Sequence, residues 1–197
     1  MELNIIIQNF IEQYGLISIF LIVMLEYANI PLPSEVVLPF VGIMVAKGNI
    51  NFAGAVVVSV IAGLVGSIIN YYIGYYFGKP IINLLVSKYP KTEKSAKASY
   101  MWLQKYDKLS VMLTRVVPLA RTFISIPAGI TKMNIYIFTI YSGIGILLWN
   151  LLLISIGFFV GDNLETILVI LNNYTMSVGV IIVILFIGYL FMKRKNN

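Results

Sequence analysis

The sequence is built from long apolar blocks separated by short polar breaks or by prolines and glycines. A helix rises about 1.5 Å per residue, so crossing a hydrocarbon core of about 30 Å takes about 20 residues. Residues 52–78, 134–161 and 166–192 meet this length. Residues 5–28 also meet it if Gln8, Asn9 and Glu12 sit at the interface. Two further blocks do not fit a simple crossing. Val36 to Ala46 is eleven residues, roughly 16 Å as helix; Pro31, Pro33 and Glu35 precede it, and Pro39 and Gly42 interrupt it. Val111 to Ile130 has the length, but it carries Arg115 and Arg121 among the breakers Pro118, Pro127 and Gly129. An arginine facing lipid at mid-membrane costs at least about 2.5–3.5 kcal/mol on insertion scales. Folding each piece into a re-entrant hairpin turns the charges and broken backbone toward a protein-lined cavity.

The predicted architecture is therefore an all-α integral membrane protein, one membrane domain over residues 1–197. Its re-entrant hairpins cover about residues 31–48 and 109–130, and its transmembrane helices about 5–28, 52–78, 134–161 and 166–192. Between the halves, residues 79–108 form an interfacial segment, where Thr92 caps a helix carrying Ala96, Tyr100, Trp102 and Leu103 among lysines. The two hairpin-plus-span units also resemble each other. The first reads Glu35, Pro39-Phe40-Val41-Gly42, Asn51-Phe52, a Gly63/Gly66 span with Asn70, and Ile73-Gly74-Tyr75-Tyr76-Phe77-Gly78. The second reads Arg121, Ile126-Pro127-Ala128-Gly129, Asn134-Ile135, a Gly143/Gly145 span with Asn150, and Ile156-Gly157-Phe158-Phe159-Val160-Gly161. With the spans crossing in opposite directions, this predicts an inverted repeat, the architecture of secondary transporters with midplane sites. Chance recurrence of Gly and Pro in an apolar chain is the alternative.

Composition strengthens the membrane assignment. Of 197 residues, 59% are hydrophobic and 11% charged, against about a quarter charged in soluble domains. Such a chain cannot build a polar coat, and it is far from the composition of disorder. There is no Cys and no His, which removes disulfides, thiolate metal sites, cysteine nucleophiles and the usual general base. The net charge of +6 is concentrated in residues 79–108 and in Lys193-Arg194-Lys195. That placement suits cytoplasmic loops touching anionic lipid better than nucleic-acid binding. Both termini are then expected inside, with the acidic connection 161–165 outside, and no cleaved signal peptide is expected.

Four charges lie at expected membrane depth: Glu26, Glu35, Arg115 and Arg121. On an unbroken helix the two arginines would sit about 240° apart, and a break at Pro118 can bring them to one cavity. Two converging guanidiniums need anions. Glu26 and Glu35 can supply them at rest, and a lipid phosphate can replace them during turnover, because guanidinium binds phosphate through paired hydrogen bonds. A carboxylate left without its arginine can take up a proton, a route to coupling. The bland alternative is two fixed buried ion pairs. Asn70 and Asn150 are candidate cavity-lining residues or interhelical glue, and Trp149, mid-span, has no assigned role. No metal site or cofactor is expected.

Three stretches carry a family resemblance: Leu25 to Glu35 with Glu26 and Pro31-Leu32-Pro33, the Gly66–Gly78 run, and Thr114-Arg115-Val116-Val117-Pro118 through Arg121 to Pro127-Ala128-Gly129. Together they resemble the DedA family (the SNARE-associated or VTT superfamily) over about residues 20–162. The resemblance implies a bacterial inner-membrane lipid transporter, as in members that recycle undecaprenyl phosphate with the proton-motive force implicated. It also implies that Glu26 and Glu35 are the essential membrane acids and that Arg115 and Arg121 are the paired arginines. In some relatives the second acid is an Asp further along, which loosens the match at Glu35. The expected function is a flippase for polyprenyl phosphate, not an enzyme, with an oligomer possible. The alternatives are a proton- or cation-coupled transporter of small solutes, a membrane enzyme acting on lipid phosphates, and a scaffold.

Overall fold

The computed structural model describes residues 9–11, 13–30, 32, 34–88, 108–117 and 120–161. The side chains of residues 34, 35, 79, 81–86, 88 and 108 are not described. The span expected at 166–192, the basic tail, the acidic connection beyond Gly161 and the helix expected after Thr92 lie outside the described residues.

Within them the chain is helical, with no strand. We label the helices α1 (Leu16–Tyr27), α2 (Ser34–Ala46), α3 (Phe52–Lys88), α4 (Lys108–Thr114), α5 (Ala120–Phe123), α6 (Ser125–Ile130) and α7 (Ile135–Val160). Two stretches, Phe52–Gly78 and Ile135–Val160, are apolar and long enough to cross a membrane. Both begin at an asparagine cap. Asn51 Oδ1 accepts the Gly54 N–H at 3.0 Å, and Asn134 Oδ1 accepts those of Tyr136 and Ile137 at 2.9 and 3.3 Å. α7 stops at Gly161, whose φ of +69° suits glycine and ends the helix. α3 continues through Pro80 to Lys88, beyond the length a bilayer needs.

The first apolar block is not one straight helix. Residues 9–11 and 13–14 are helical, Gly15 turns at φ +55°, and α1 then runs for 12 residues, about 18 Å. α2 is also short, 13 residues, and Pro39 does not interrupt it. A proline this near a helix start removes one backbone hydrogen bond and leaves the rest of the ladder intact.

α3 and α7 pack antiparallel. Phe52 meets Phe158 with ring centroids 5.9 Å apart, Gly63 faces Ile146, Leu64 faces Gly143, and Tyr71 lies 5.0 Å from Phe138. The short helices dock on this pair in a reciprocal way. α1 runs beside the first half of α3, Leu16 near Gly54, with its last turn flush against Gly66 at Met24, Tyr27 and Ala28. α4 ends against α7 at Gly145, where a Cβ would lie 2.7 Å from both the Met112 carbonyl and the Arg115 Cβ. α2 and α6 each reach the other long helix. Gly42 of α2 abuts the Ile154 carbonyl and Gly157 of α7, and Gly157 in turn abuts the Pro39 carbonyl. Gly129 of α6 abuts the Tyr71 carbonyl of α3, and Gly74 of α3 abuts the Ile126 carbonyl. Backbone touches backbone at all four glycines.

The outer surface differs from that of a soluble fold. The outward faces of α3 and α7 are apolar, including Val57, Ile61, Ile69, Ile140, Ile144, Leu148 and Leu152. The interior is mostly apolar, and within it lie Ser18, Glu26, Ser59, Ser67, Asn70, Arg115, Arg121, Ser125, Ser142 and Asn150. An apolar outer surface, with the few polar and charged groups turned inward, is what a lipid solvent selects.

Candidate functional site

α1 ends where the chain must reverse. Asn29 takes φ +66°, a conformation asparagine tolerates, and the Asn70 Nδ2 of α3 donates to the Tyr27 carbonyl at 2.9 Å. These contacts pin Tyr27 against Gly63 and Gly66, with its ring wholly buried. Glu26 is placed beside it, also buried.

On the other side α4 tightens after Thr114. Backbone N–H groups of residues 115–117 donate to the carbonyls three positions back, at 3.1–3.2 Å. The chain resumes as α5, carrying Arg121, so both arginines converge on Tyr27. Their guanidinium carbons lie 5.8 Å (Arg115) and 5.5 Å (Arg121) from its ring centroid. Phe138 flanks Arg115 at 5.6 Å and Trp149 flanks Arg121 at 5.4 Å. Stacking of a desolvated guanidinium on an aromatic face is worth up to about 2 kcal/mol or more, which helps two like charges share one site.

The two arginines are held differently. Arg121 forms an ion pair through Nη2 with Glu26 Oε1. Arg115 donates from Nη1 to the backbone carbonyl of Arg121, and from Nη2 to the Ser125 and Ser142 hydroxyls at 3.0 and 2.9 Å. Among the described residues its hydrogen-bond partners are all neutral, and its charge is solvated by these dipoles and by the aromatic faces beside it. One carboxylate faces two guanidiniums, leaving an excess positive charge among the described side chains, walled by aromatic rings.

The four charges singled out in the sequence thus divide. Glu26, Arg115 and Arg121 come together. Glu35 lies in the first turn of α2, and its side chain is outside the described residues. Asn70 and Asn150 separate too. Asn70 holds the end of α1, whereas Asn150, fully buried in α7, has neither amide atom hydrogen-bonded. The residues that sequence reasoning missed are Tyr27, Ser125 and Ser142, with Trp149 noted but unassigned. Trp149 was legible as an oddity in mid-span; Ser125 has only its closeness to Arg121 in the chain as a signal, and Ser142 has none.

Residues 32–159 match the VTT domain. The chain belongs to this family, the DedA family. Full-length relatives agree. Undecaprenyl phosphate transporter A of Staphylococcus aureus is 31% identical over 98% of this chain and 98% of its own length. An alkaline phosphatase-like protein of Lactococcus lactis subsp. cremoris is 34% identical over 97% of this chain and 92% of its own. Protein DedA of Escherichia coli is 30% identical over 69% of this chain and 64% of its own. No solved structure matches the chain. The VTT match spans α2 to α7 and so covers both arginines, while Glu26 and Tyr27 lie just ahead of it, within the full-length alignments.

Proposed function

We propose that this VTT protein is a plasma-membrane transporter that moves a lipid phosphate, polyprenyl phosphate in the first instance, from one leaflet to the other. The observation that carries the proposal is Arg115: a wholly buried guanidinium whose hydrogen-bond partners among the described residues are a carbonyl and two hydroxyls and no carboxylate. A fixed structural cation is expected to have an anion beside it, because an uncompensated buried charge is strongly destabilising. A phosphate monoester supplies that anion and matches the guanidinium fork. Arg121 completes the grip when the headgroup displaces Glu26, and the freed carboxylate can take up a proton, linking movement to a proton gradient. The name of the S. aureus relative supports this substrate class.

In the bilayer, we read α1–α2 and α4–α6 as two re-entrant hairpins and α3 and α7 as the crossing helices of an inverted repeat. Two features support this. α1 is about 18 Å long and ends level with Gly66, the middle of the apolar part of α3. α4 ends likewise against Gly145 in the middle of α7. The first hairpin therefore uses the second half of the block that the sequence alone marks as a span, and its tip brings Glu26 and Tyr27 to the arginines.

Reconstituted vesicles carrying a polyprenyl phosphate test the function. Arg115→Ala and Arg121→Ala are each expected to lower flipping at least about tenfold, and unchanged rates in both would overturn it. The alkaline phosphatase-like name of the L. lactis relative favours one second reading, a phosphate-releasing enzyme. Release of inorganic phosphate by the purified protein, abolished by the same substitutions, would select it. Transport of a water-soluble solute with no lipid moved would instead select the small-solute alternative.

A further inference from the structure

Asn150 lies in the middle of α7 with no exposed surface, and neither Nδ2 nor Oδ1 has a hydrogen-bond partner in the protein. A buried primary amide left unpaired on both atoms is costly, and an apolar side chain would fill the same space without that cost. Asn70, the same residue type buried in α3, spends its Nδ2 on the Tyr27 carbonyl. Asn150 makes no such bond, so helix glue does not account for it.

Its surroundings point to the headgroup site. Its neighbour Trp149 flanks Arg121. Ile146, one turn back on the same face of α7, meets Gly63, against which the Tyr27 ring also rests. The unpaired Asn150 amide therefore sits next in the chain to a residue that walls the cationic half of the site.

We infer that Asn150 is a specificity-determining residue that selects lipid phosphate monoesters over phosphodiester lipids. This rests on the lipid-phosphate proposal above and concerns the same site. The arginines grip any phosphate anion and do not tell a monoester from a diester. A primary amide does. Its Nδ2 donates to a phosphate oxygen, while its Oδ1 needs a donor, and a monoester in its monoanionic form carries one, the P–OH. The second ionisation of such a group falls near pH 6. A diester has no P–OH and leaves Oδ1 unpaired. Sites built to pair a substrate hydroxyl reject analogues lacking it far better than sites that read shape alone. Most bilayer lipids are diesters, so a transporter of a scarce monoester needs this discrimination.

The test uses the purified full-length chain in detergent at pH 6 and two probes differing by one methyl group: dodecyl phosphate and its methyl ester, dodecyl methyl phosphate. The native protein is expected to bind the monoester about tenfold tighter or more. Asn150→Leu is expected to cut that preference below about threefold by weakening the monoester alone, with a ligand-free melting temperature no lower than native. Arg121→Ala is expected to weaken both probes alike. Equal native binding of the two probes, or an undiminished preference in Asn150→Leu, overturns the selectivity role while leaving the phosphate site standing. A marked fall in the melting temperature of Asn150→Leu shows a structural amide and overturns it as well. If the native protein binds neither probe, the inference falls together with the lipid-phosphate proposal.

Discussion

At the scale of single residues, the arrangement turns on the different footing of the two arginines. Arg121 has a carboxylate and Arg115 has dipoles. Glu26→Gln removes a competitor from Arg121 and also breaks a buried pair, a loss that costs about 3–5 kcal/mol where the stranded charge finds no other partner. The ligand-free variant should therefore melt below the native protein, and a lipid phosphate should raise its melting temperature by more than it raises the native one. Turnover should fall even as apparent affinity rises, since release needs the carboxylate to reclaim Arg121. A fixed structural ion pair gives the first effect without the second. Thermal melts with and without dodecyl phosphate, paired with flipping rates, separate the two.

Arg115→Lys makes a sharper point. The guanidinium spans the Arg121 carbonyl and two serine hydroxyls with Nη1 and Nη2. A lysine ammonium is a single point donor on a flexible stem and is more strongly hydrated. It cannot serve these acceptors and a phosphate in one plane. Flipping by Arg115→Lys is expected to drop about as far as in Arg115→Ala, by roughly tenfold or more, although the charge is kept. Retention of most activity would mean that charge alone matters there.

At the scale of helices, the decisive contacts are backbone to backbone. Gly42 and Gly157 fasten α2 to α7, and Gly129 and Gly74 fasten α6 to α3. A Cβ at any of these would meet backbone atoms, which cannot swing aside as a side chain does. Alanine at Gly42, Gly74, Gly129 or Gly157 is expected to lower stability by about 1–3 kcal/mol each. Gly54 and Gly143 are the controls, since a Cβ there would meet only side-chain atoms at 3.7–3.8 Å. Alanine at these two should be neutral or stabilise by up to about 1 kcal/mol through helix propensity. Melting temperatures in one detergent check the whole series.

These helices also show how far the sequence could be read. The two long apolar helices were legible from length and hydropathy, and their starts from Asn51 and Asn134. The Gly74 and Gly157 correspondence was legible as a recurring motif, and its meaning, a swap of partners between halves, was not, because a motif carries no information about which helix it touches. The break at Gly15 in the first block was not legible, because a glycine's positive φ leaves no trace in hydropathy. A motif also leaves the exact register of the two halves open. Asn51 and Asn134 stand 83 positions apart, as do Gly74 and Gly157, and that spacing sets Asn150 opposite Ser67, another buried polar residue without a hydrogen-bond partner. At the site, Glu26, Arg115 and Arg121 were legible because charge in an apolar block stands out. Tyr27, Ser125 and Ser142 were not, since aromatic and hydroxyl residues are common in membrane helices.

At the scale of the whole molecule, the proposed hairpins fix which ends share a side. If α1 and α2 enter and leave by one face, the residues before Leu16 lie on the same side as the turn at Lys47. If α4 to α6 do so from the other face, Lys108 and Lys132 lie together on the opposite side. The lysine-rich segment before Lys108 makes that side cytoplasmic. The start of α1 then lies outside, which reverses the orientation expected for the N-terminus from a full first span. The chain has no native cysteine, so single introduced thiols report sidedness without a background. In oriented cells, Gln13→Cys and Lys47→Cys are expected to react with a membrane-impermeant maleimide from outside, while Lys108→Cys and Lys132→Cys react only after permeabilisation. Labelling of Gln13→Cys and Lys47→Cys from opposite sides would make the first block a true span. Its tip would then no longer be bound to return, and the depth assigned to Glu26 and Tyr27 would lose its basis. Labelling of Lys108→Cys and Lys132→Cys from opposite sides would carry Arg115 and Arg121 through the bilayer on a crossing segment, and the transport mechanism built on a shared midplane site would fail.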